Sequence, residues 1–403
     1  MKNFKNITNL FFSEVALLDI RHNFLAFLLG CAALSPLIGF LPTITPVYYM
    51  MLMVVATYMA INLRKVEPVA FIFIIVCALS ILLASPPAFF RSWERLGLFI
   101  LLYIAVSPLV QSKKARAFRE SGLQLTLFVA VVVALVSFVF YFLSINFMWG
   151  IMTDSVDGVG TFGGLTRHSM VLGPISAIAV IYCSYRALVT KNKLYWLLTM
   201  PCMACVLFSA SRTAFIAALC GFMSMFYVLS GSNSRVLLKR LYPIIGILLI
   251  SFPLWQGALS GLKMKQQNNV EQIGRSFGSR EDKWNNRIEE FMGSPVCGVG
   301  FSACDPLNYE DYNRDLGGTV EPGSSWLAVL SMTGLMGFIP FVIIAYRAIR
   351  RAWSHRRHNQ RAALYLGLIV FLFTHMVSEG YVLAGGSLLC FVCWLIISSC
   401  YDL

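Results

Sequence analysis

The chain has 403 residues, of which 58% are hydrophobic and 13% are charged, and its formal net charge is +13. Soluble domains carry about 25% charged residues, so a water-exposed globular protein is excluded. The basic residues lie in short loops between apolar runs rather than on one face of a folded domain, which excludes nucleic acid as a partner.

Apolar runs of about 20 residues are typical of membrane-spanning helices. Twelve can be drawn: 24–41, 46–63, 68–85, 95–110, 123–146, 170–189, 194–209, 212–230, 241–259, 325–346, 362–378 and 385–400. Only Ala210 and Ser211 separate the seventh run from the eighth, which predicts a tight helical hairpin or a broken pair. We therefore expect an all-α polytopic membrane protein with two membrane regions, 1–259 and 324–403, on either side of a polar loop, 260–323.

The distribution of Lys and Arg predicts the orientation of the chain in the membrane. With loops numbered alternately from the inside, one side holds 21 of these residues and the other holds 4 outside the polar loop. Cytoplasmic loops are the ones enriched in Lys and Arg, so both termini are predicted to be cytoplasmic and the loop 260–323 to be periplasmic. Residues 1–23 mix charged and apolar side chains, which predicts an amphipathic helix on the membrane rather than a cleaved signal peptide.

Arginines near the outer helix ends are the first candidates for binding, because ionisable groups at membrane depth are costly to place. Arg91 and Arg95 share one face of a helix start, where they bind an anion or act as interfacial anchors. A glycine-rich stretch, 158–173, presents Arg167 and His168 before a helix, and helix N-termini favour anions. His168 is a candidate catalytic base or an ordinary solvated loop residue.

Arg212 lies between two apolar runs, close to the edge of the hydrocarbon. An arginine at that depth is expected to bind an anionic substrate, or else to form a salt bridge with Glu379 or Glu94 of a neighbouring helix.

The polar loop contains a helix-compatible segment, 281–292. Arg280, Trp284, Arg287 and Phe291 recur at helical spacing and form one stripe. Such a stripe predicts an amphipathic helix lying on the membrane, where the guanidinium groups bind phosphate oxygens and Trp284 contacts lipid; simple interfacial anchoring is the alternative. Glu321 follows at the end of the loop and is a candidate general base or a counter-ion for an arginine, as is Glu379.

The cysteines predict little chemistry. Cys202 with Cys205 and Cys390 with Cys393 lie inside apolar runs without further ligands, which argues against a metal or redox site. Two cysteines of the outer loop, at 297 and 304, form a disulfide or remain free thiols. Many arginines without a metal-ligand cluster favour an anionic substrate, most naturally a diphosphate attached to lipid.

Short motifs in this order resemble the O-antigen ligase and O-antigen polymerase superfamily of bacterial inner membranes. The motifs are the glycine-rich stretch with His168, SASRTA at 209–214, SR at 279–280 with Trp284, PVCGVG at 295–300, SWL at 325–327 and TGLMG at 333–337. The resemblance implies a GT-C-type fold and transfer of a glycan from undecaprenyl diphosphate to an acceptor sugar hydroxyl at the periplasmic face, without a metal or other cofactor. It further implies that Arg212 and Arg280 hold the diphosphate and that a base lies nearby; Arg287, Arg167, Arg91 and Arg95 are added from their placement alone.

The expected partners are the lipid-linked donor, a glycan or lipid A core acceptor, membrane lipids and other polysaccharide assembly proteins. Ligases of the superfamily carry a histidine just before the helix that follows the large loop; here Gly323 or one of its neighbours stands at that place, and none of them is histidine. This difference favours a polymerase over a ligase, with Glu321 or His168 as the base. It also leaves open an exopolysaccharide polymerase or a relative that glycosylates proteins on oxygen. A flippase or transporter is the alternative from another class, although such proteins usually show two comparable halves and charges in mid-membrane.

Overall fold

A computed structural model describes residues 13–16, 18, 20, 23–41, 44–148, 162–231, 233, 235, 279–305 and 321–403. Most of the predicted amphipathic start, the ninth apolar run 241–259, residues 158–161 of the glycine-rich stretch and residues 260–278 and 306–320 of the loop lie outside this set. The described part is mainly helical. It contains the helices α1 Phe24–Leu34, α2 Thr45–Ile61, α3 Pro68–Ala84, α4 Ser92–Val106, α5 Lys113–Phe142, α6 Ser169–Thr190, α7 Lys193–Phe208, α8 Arg212–Leu229, α9 Ser279–Gly293, α10 Ser325–His355, α11 Arg361–His375 and α12 Leu388–Tyr401.

Each of the eleven apolar runs that falls within the described residues corresponds to a helix, as predicted. Four of these helices, α5, α6, α8 and α10, are long and apolar enough to cross a membrane by length and composition; the other apolar helices are shorter. Large apolar side chains are exposed on the outside of the bundle, for example Met53, Ile61 and Leu82. In a membrane protein such side chains face lipid, so the fold agrees with an all-α membrane protein.

A two-stranded antiparallel ladder, β1 Lys65–Val66 and β2 Val110–Gln111, is an element that the sequence did not predict. It lies at the end of the bundle away from α9, which we call the inner end. Nearby, the fully buried Arg119 donates to both carboxylate oxygens of Asp402 at 2.7 Å. These contacts hold the start of α5 and the end of α12 together.

Helices α8 and α11 pack closely against each other. Their contacts show which residues lie at the end of the bundle opposite the inner end, which we call the outer end. A Cβ atom on Gly221 would lie 2.6 Å from the carbonyl oxygen of Gly367, and one on Gly367 would lie 2.8 Å from Met225 Cβ. The two helices run antiparallel, since Gly221 also contacts Phe371 while Met225 contacts Gly367. Arg212 precedes Gly221 by as many residues as Met376 follows Gly367. In an antiparallel pair these two residues are therefore at the same level, and Arg212 and Met376 both lie at the outer end.

Helix α10 is broken near its outer end, and the segment 295–300 fills the break. Gly334 has φ +58°, a conformation that favours glycine, and a Cβ there would lie 2.2 Å from the carbonyl oxygen of Val296. Backbone groups freed by the break pair with the segment: Leu335 N donates to Pro295 O at 2.9 Å, and Val299 N donates to Ser331 O at 2.9 Å. The segment that follows α9 is thereby fixed to α10.

Candidate functional site

Arg280 lies at the centre of a cluster of charged side chains at the outer end. Its Nη1 donates to Glu321, and its Nη2 donates to Glu379 Oε1 at 2.7 Å. Lys283, one turn further along α9, donates to the second oxygen of Glu321. The cluster therefore joins α9 to the segments before α10 and after α11, and it brings together Arg280 and Glu321, both predicted from the sequence.

The stripe of α9 faces protein rather than membrane. Trp284 donates its indole N–H to the carbonyl oxygen of Gly323 at 3.2 Å, and Arg287 is fully buried. The expectation of a helix lying on the membrane through this stripe is therefore wrong for its described contacts, because α10 and residues 321–323 occupy that face. An arginine and aromatic stripe looks the same in sequence whether it meets lipid or protein.

Hydrogen bonds from the start of α10 hold the backbone at Glu379. The Ser325 hydroxyl donates to the Glu379 carbonyl oxygen at 2.7 Å, and Ser325 N lies within hydrogen-bond distance of both Met376 O and Glu379 O. The Glu379 side chain is 16% exposed. Burial raises the pKa of Glu379 to about 7, although the positive charge of Arg280 acts in the opposite direction.

Glu321 has the opposite electrostatic environment. Burial acts to raise the pKa of Glu321, but the hydrogen bond from Lys283 and the charges of Arg280 and Lys283 outweigh it, so the pKa lies below its usual range. Both carboxylate oxygens accept hydrogen bonds from these cations. Glu321 is therefore held as an anion between two cations.

Gly323, one of the residues compared above with the histidine of the ligases, has a backbone conformation that disfavours a side chain. Its φ is +70°, and an added Cβ would lie 2.8 Å from Lys283 Cβ. The carbonyl of the same residue accepts the Trp284 hydrogen bond. The local conformation thus favours glycine.

Arg287 was expected to bind the diphosphate, but its side chain is buried against protein groups. Its Nη1 donates to Glu290 Oε2 at 2.8 Å, to Ser331 Oγ at 3.1 Å and to the Ala303 carbonyl at 3.2 Å. Neither side chain of the Arg287–Glu290 pair is exposed. Burial raises the pKa of Glu290, against the lowering effect of Arg287. These contacts tie α9 to α10 and do not present Arg287 to a substrate.

Arg212 opens α8 at the outer end and is half-buried. Ser211 caps the helix by accepting from Ala214 N at 3.3 Å. Within the described ranges, the Arg212 guanidinium has neither a hydrogen bond nor an ion pair. The two carboxylates considered as partners bind other arginines: Glu379 binds Arg280, and Glu94 lies 3.9 Å from Arg91.

The remaining predicted arginines are spread over the same end. Arg91 is exposed beside Glu94, and Arg95 Nη1 donates to Ser302 Oγ at 3.2 Å. Arg167 donates to the carbonyl oxygen of Leu41. Their described contacts are thus with protein groups other than the Arg280 cluster.

His168 caps helix α6, a role that the sequence did not suggest. Its Nδ1 accepts the backbone N–H of Met170 at 3.0 Å. A neutral His168 therefore carries its proton on Nε2 and presents a donor there. A Cβ on Gly173, one turn into α6, would lie 2.9 Å from Ser209 Oγ and 3.0 Å from Ser211 Cβ, so the start of α6 packs beside the turn that holds Arg212.

Two further residues of the site carried only a weak sequence signal. Glu379 was recognised as an outer carboxylate, but its pairing with Arg280 joins positions 99 residues apart. Lys283 gave no signal beyond its charge. Cys297 and Cys304 are both free cysteines in the structure, and Cys304 is buried beside Phe90.

Residues 195–342 match a family model described as O-antigen ligase. The match confirms the resemblance to the O-antigen ligase and O-antigen polymerase superfamily and includes Arg212, Arg280 and Glu321, whereas His168 and Glu379 lie outside the matched range. Among curated proteins no match to the chain was found. Together with the apolar helices, the family match supports a membrane protein of the O-antigen ligase or polymerase type.

Proposed function

We propose that the protein is a membrane glycosyltransferase that moves a glycan from undecaprenyl diphosphate to an acceptor sugar hydroxyl at the periplasmic face of the bacterial inner membrane. The family match carries the proposal, because it covers both arginines expected to hold the diphosphate. The reaction is proposed to need no metal, as the resemblance implies.

Arg212 is the proposed first contact of the donor diphosphate. It opens a helix at the outer end, where the exposed N–H groups of the first turn also favour an anion. No described residue neutralises its charge, so a diphosphate could bind it without displacing a carboxylate. Arg280 is the proposed second contact, and together the two guanidinium groups would stabilise the negative charge that develops on the leaving diphosphate.

The other predicted arginines receive lesser roles in the proposal. Arg91, Arg95 and Arg167 would add positive potential around the entrance and steer the anionic headgroup toward the outer end. Arg287 is withdrawn from the binding set, since its side chain is fully buried against Glu290.

We propose a polymerase, which joins one lipid-linked repeat unit to another, rather than a ligase that transfers to lipid A core. The support is Gly323, whose positive φ and contact with Lys283 disfavour the histidine expected of a ligase. Twelve spans, a GT-C-type fold, cytoplasmic termini and a lid formed by residues 260–323 remain part of the same proposal.

Deletion of the gene and complementation test this function. Wild-type protein and the exposed inner-end control Arg350→Ala should restore long surface glycans, whereas Arg212→Ala and Arg280→Ala should not. Single repeat units on the core would indicate loss of a polymerase, and full-length chains left on the lipid carrier would indicate loss of a ligase. Repeat units retained on the cytoplasmic side would contradict both enzymes and indicate a flippase.

A further inference from the structure

The contacts of Arg280 link donor binding to the state of a carboxylate. Arg280 Nη2 donates to Glu379 Oε1 at 2.7 Å, while Nη1 is held by Glu321. A diphosphate that engages Arg280 must compete with these two carboxylates. If Arg280 moves to the diphosphate, Glu321 still forms an ion pair with Lys283, whereas Glu379 loses its only ion pair among the described residues.

We infer that Glu379 is the general base that takes the proton of the acceptor hydroxyl, and that the donor diphosphate makes it available by drawing Arg280 away. The inference rests on the proposed function and adds to it the identity of the base and an order of events. Donor binding comes first, because until then Arg280 holds the carboxylate.

The surroundings of Glu379 suit a base better than those of Glu321. Both oxygens of Glu321 are bonded to cations, whereas only Oε1 of Glu379 is bonded to a side chain in the part of the chain that the structure describes. The Ser325 hydroxyl holds the backbone of Glu379, and Gly380 packs against Pro322, so the carboxylate is held beside residues 321–323. A largely buried carboxylate whose backbone is held by hydrogen bonds, and of which only one oxygen is bonded to a described side chain, can accept a proton in a defined direction.

The charges that act on Glu379 come from α9 and from Glu321. Arg280 and Lys283 of α9 lower its pKa, Glu321 raises it, and the buried His375 and Tyr381 belong to the segments on either side of it. Transfer of Arg280 to the diphosphate removes the strongest lowering charge and brings a new anion nearby. Both changes raise the proton affinity of Glu379 when the acceptor is to be deprotonated.

The step then balances as a single displacement at the anomeric carbon. The acceptor oxygen forms the new bond to C1 while its proton passes to Glu379. The bond from C1 to the bridging phosphate oxygen breaks, and its electron pair leaves with undecaprenyl diphosphate, which Arg212 and Arg280 hold. Glu379 afterwards loses the proton to water, and Arg280 returns to it when the product diphosphate departs.

Purified full-length protein in lipid nanodiscs allows donor binding and turnover to be measured separately. The variants are Glu379→Gln, Glu379→Asp, Glu321→Gln and the control Glu289→Gln, an exposed position on α9, the helix that carries Arg280. In Glu379→Gln we expect turnover to fall at least about 100-fold, while the Kd for the lipid-linked donor stays within about threefold or tightens, since Arg280 is released. Glu379→Asp should recover part of the turnover, and Glu289→Gln should match wild type.

The pH profile distinguishes a base from a residue that only positions Arg280. Wild-type kcat/KM should rise with pH through an apparent pKa near 7, the value expected for Glu379. Glu321→Gln should move this rise to lower pH, because it removes a negative charge and leaves Arg280 to Glu379. Glu379→Gln should abolish the rise.

Two results would overturn the inference: full turnover in Glu379→Gln, or equal losses of turnover and donor binding with an unchanged pH profile in the residual activity. A wild-type protein that binds donor but forms no glycosidic bond would instead refute the proposed function itself.

Discussion

Replacing Arg287 by methionine removes one half of an ion pair whose two side chains are both fully buried. Methionine can fill much of the space, but it cannot donate to Glu290, Ser331 and the Ala303 carbonyl. Breaking a buried pair from one side typically costs about 3–5 kcal/mol, because the remaining charge stays without compensation. The double variant Arg287→Met, Glu290→Leu removes both charges and should recover at least half of that loss.

Hydrogen exchange of the α9 amides measures this cost, since α9 is tied to α10 through the pair. If α9 opens locally, a loss of about 3 kcal/mol accelerates exchange roughly a hundredfold. The effect should shrink as the pH falls: loss of Arg287 removes the group that lowers the pKa of Glu290, so Glu290 takes up a proton more readily and becomes neutral. At permissive temperature, donor binding should remain intact. Normal α9 exchange combined with lost donor binding would refute this reasoning and restore Arg287 to the diphosphate site.

Three further changes test the outer end of the fold. Gly334→Ala places a Cβ 2.2 Å from the Val296 carbonyl at a positive φ, so we expect a large fall in thermal stability, and wild-type stability would show that the break in α10 is dispensable. Gly323→His meets the same obstacles at φ +70° and beside Lys283. We expect limited proteolysis to cleave the variant faster at residues 321–323, and we expect no transfer to lipid A core. A gain of ligase activity would contradict the geometry. Since the pKa of Glu321 is lowered in the fold, its contribution to stability is present above its usual value of 4.5 and is lost as pH falls through the folded pKa. The protection of the α9 amides, taken relative to their intrinsic exchange rates at each pH, should therefore fall at acid pH in wild type and show a weaker pH dependence in Glu321→Gln.

Hydropathy predicted the helices well and their ends less well. The run 123–146 overlaps α5, but this helix begins earlier, at Lys113, because its first turns are polar and follow the β2 strand, and it ends at Phe142. The run 325–346 continues as α10 to His355, and its break at Gly334 depends on the segment 295–300 packing into it. A local window of sequence contains no information on such a distant contact.

In the site, too, properties of single residues could be predicted from the sequence, whereas contacts between distant residues could not. Arginines at the outer helix ends were found from charge and depth alone, since these are properties of single positions. The partners of those arginines could not be predicted in this way. Glu379 binds Arg280 and not Arg212, and Arg287 binds the buried Glu290. The stripe containing Arg280 and Arg287 was assigned to the membrane because spacing identifies a face of a helix but not what covers it.

Incubation of the purified protein in nanodiscs with a single undecaprenyl-diphosphate-linked repeat unit tests the central claim most directly. The account predicts lipid-linked chains of two or more repeats together with released undecaprenyl diphosphate, and loss of both products in Arg212→Ala. Repeat units that remain single, or that cross the bilayer of a proteoliposome without forming a new glycosidic bond, would contradict it.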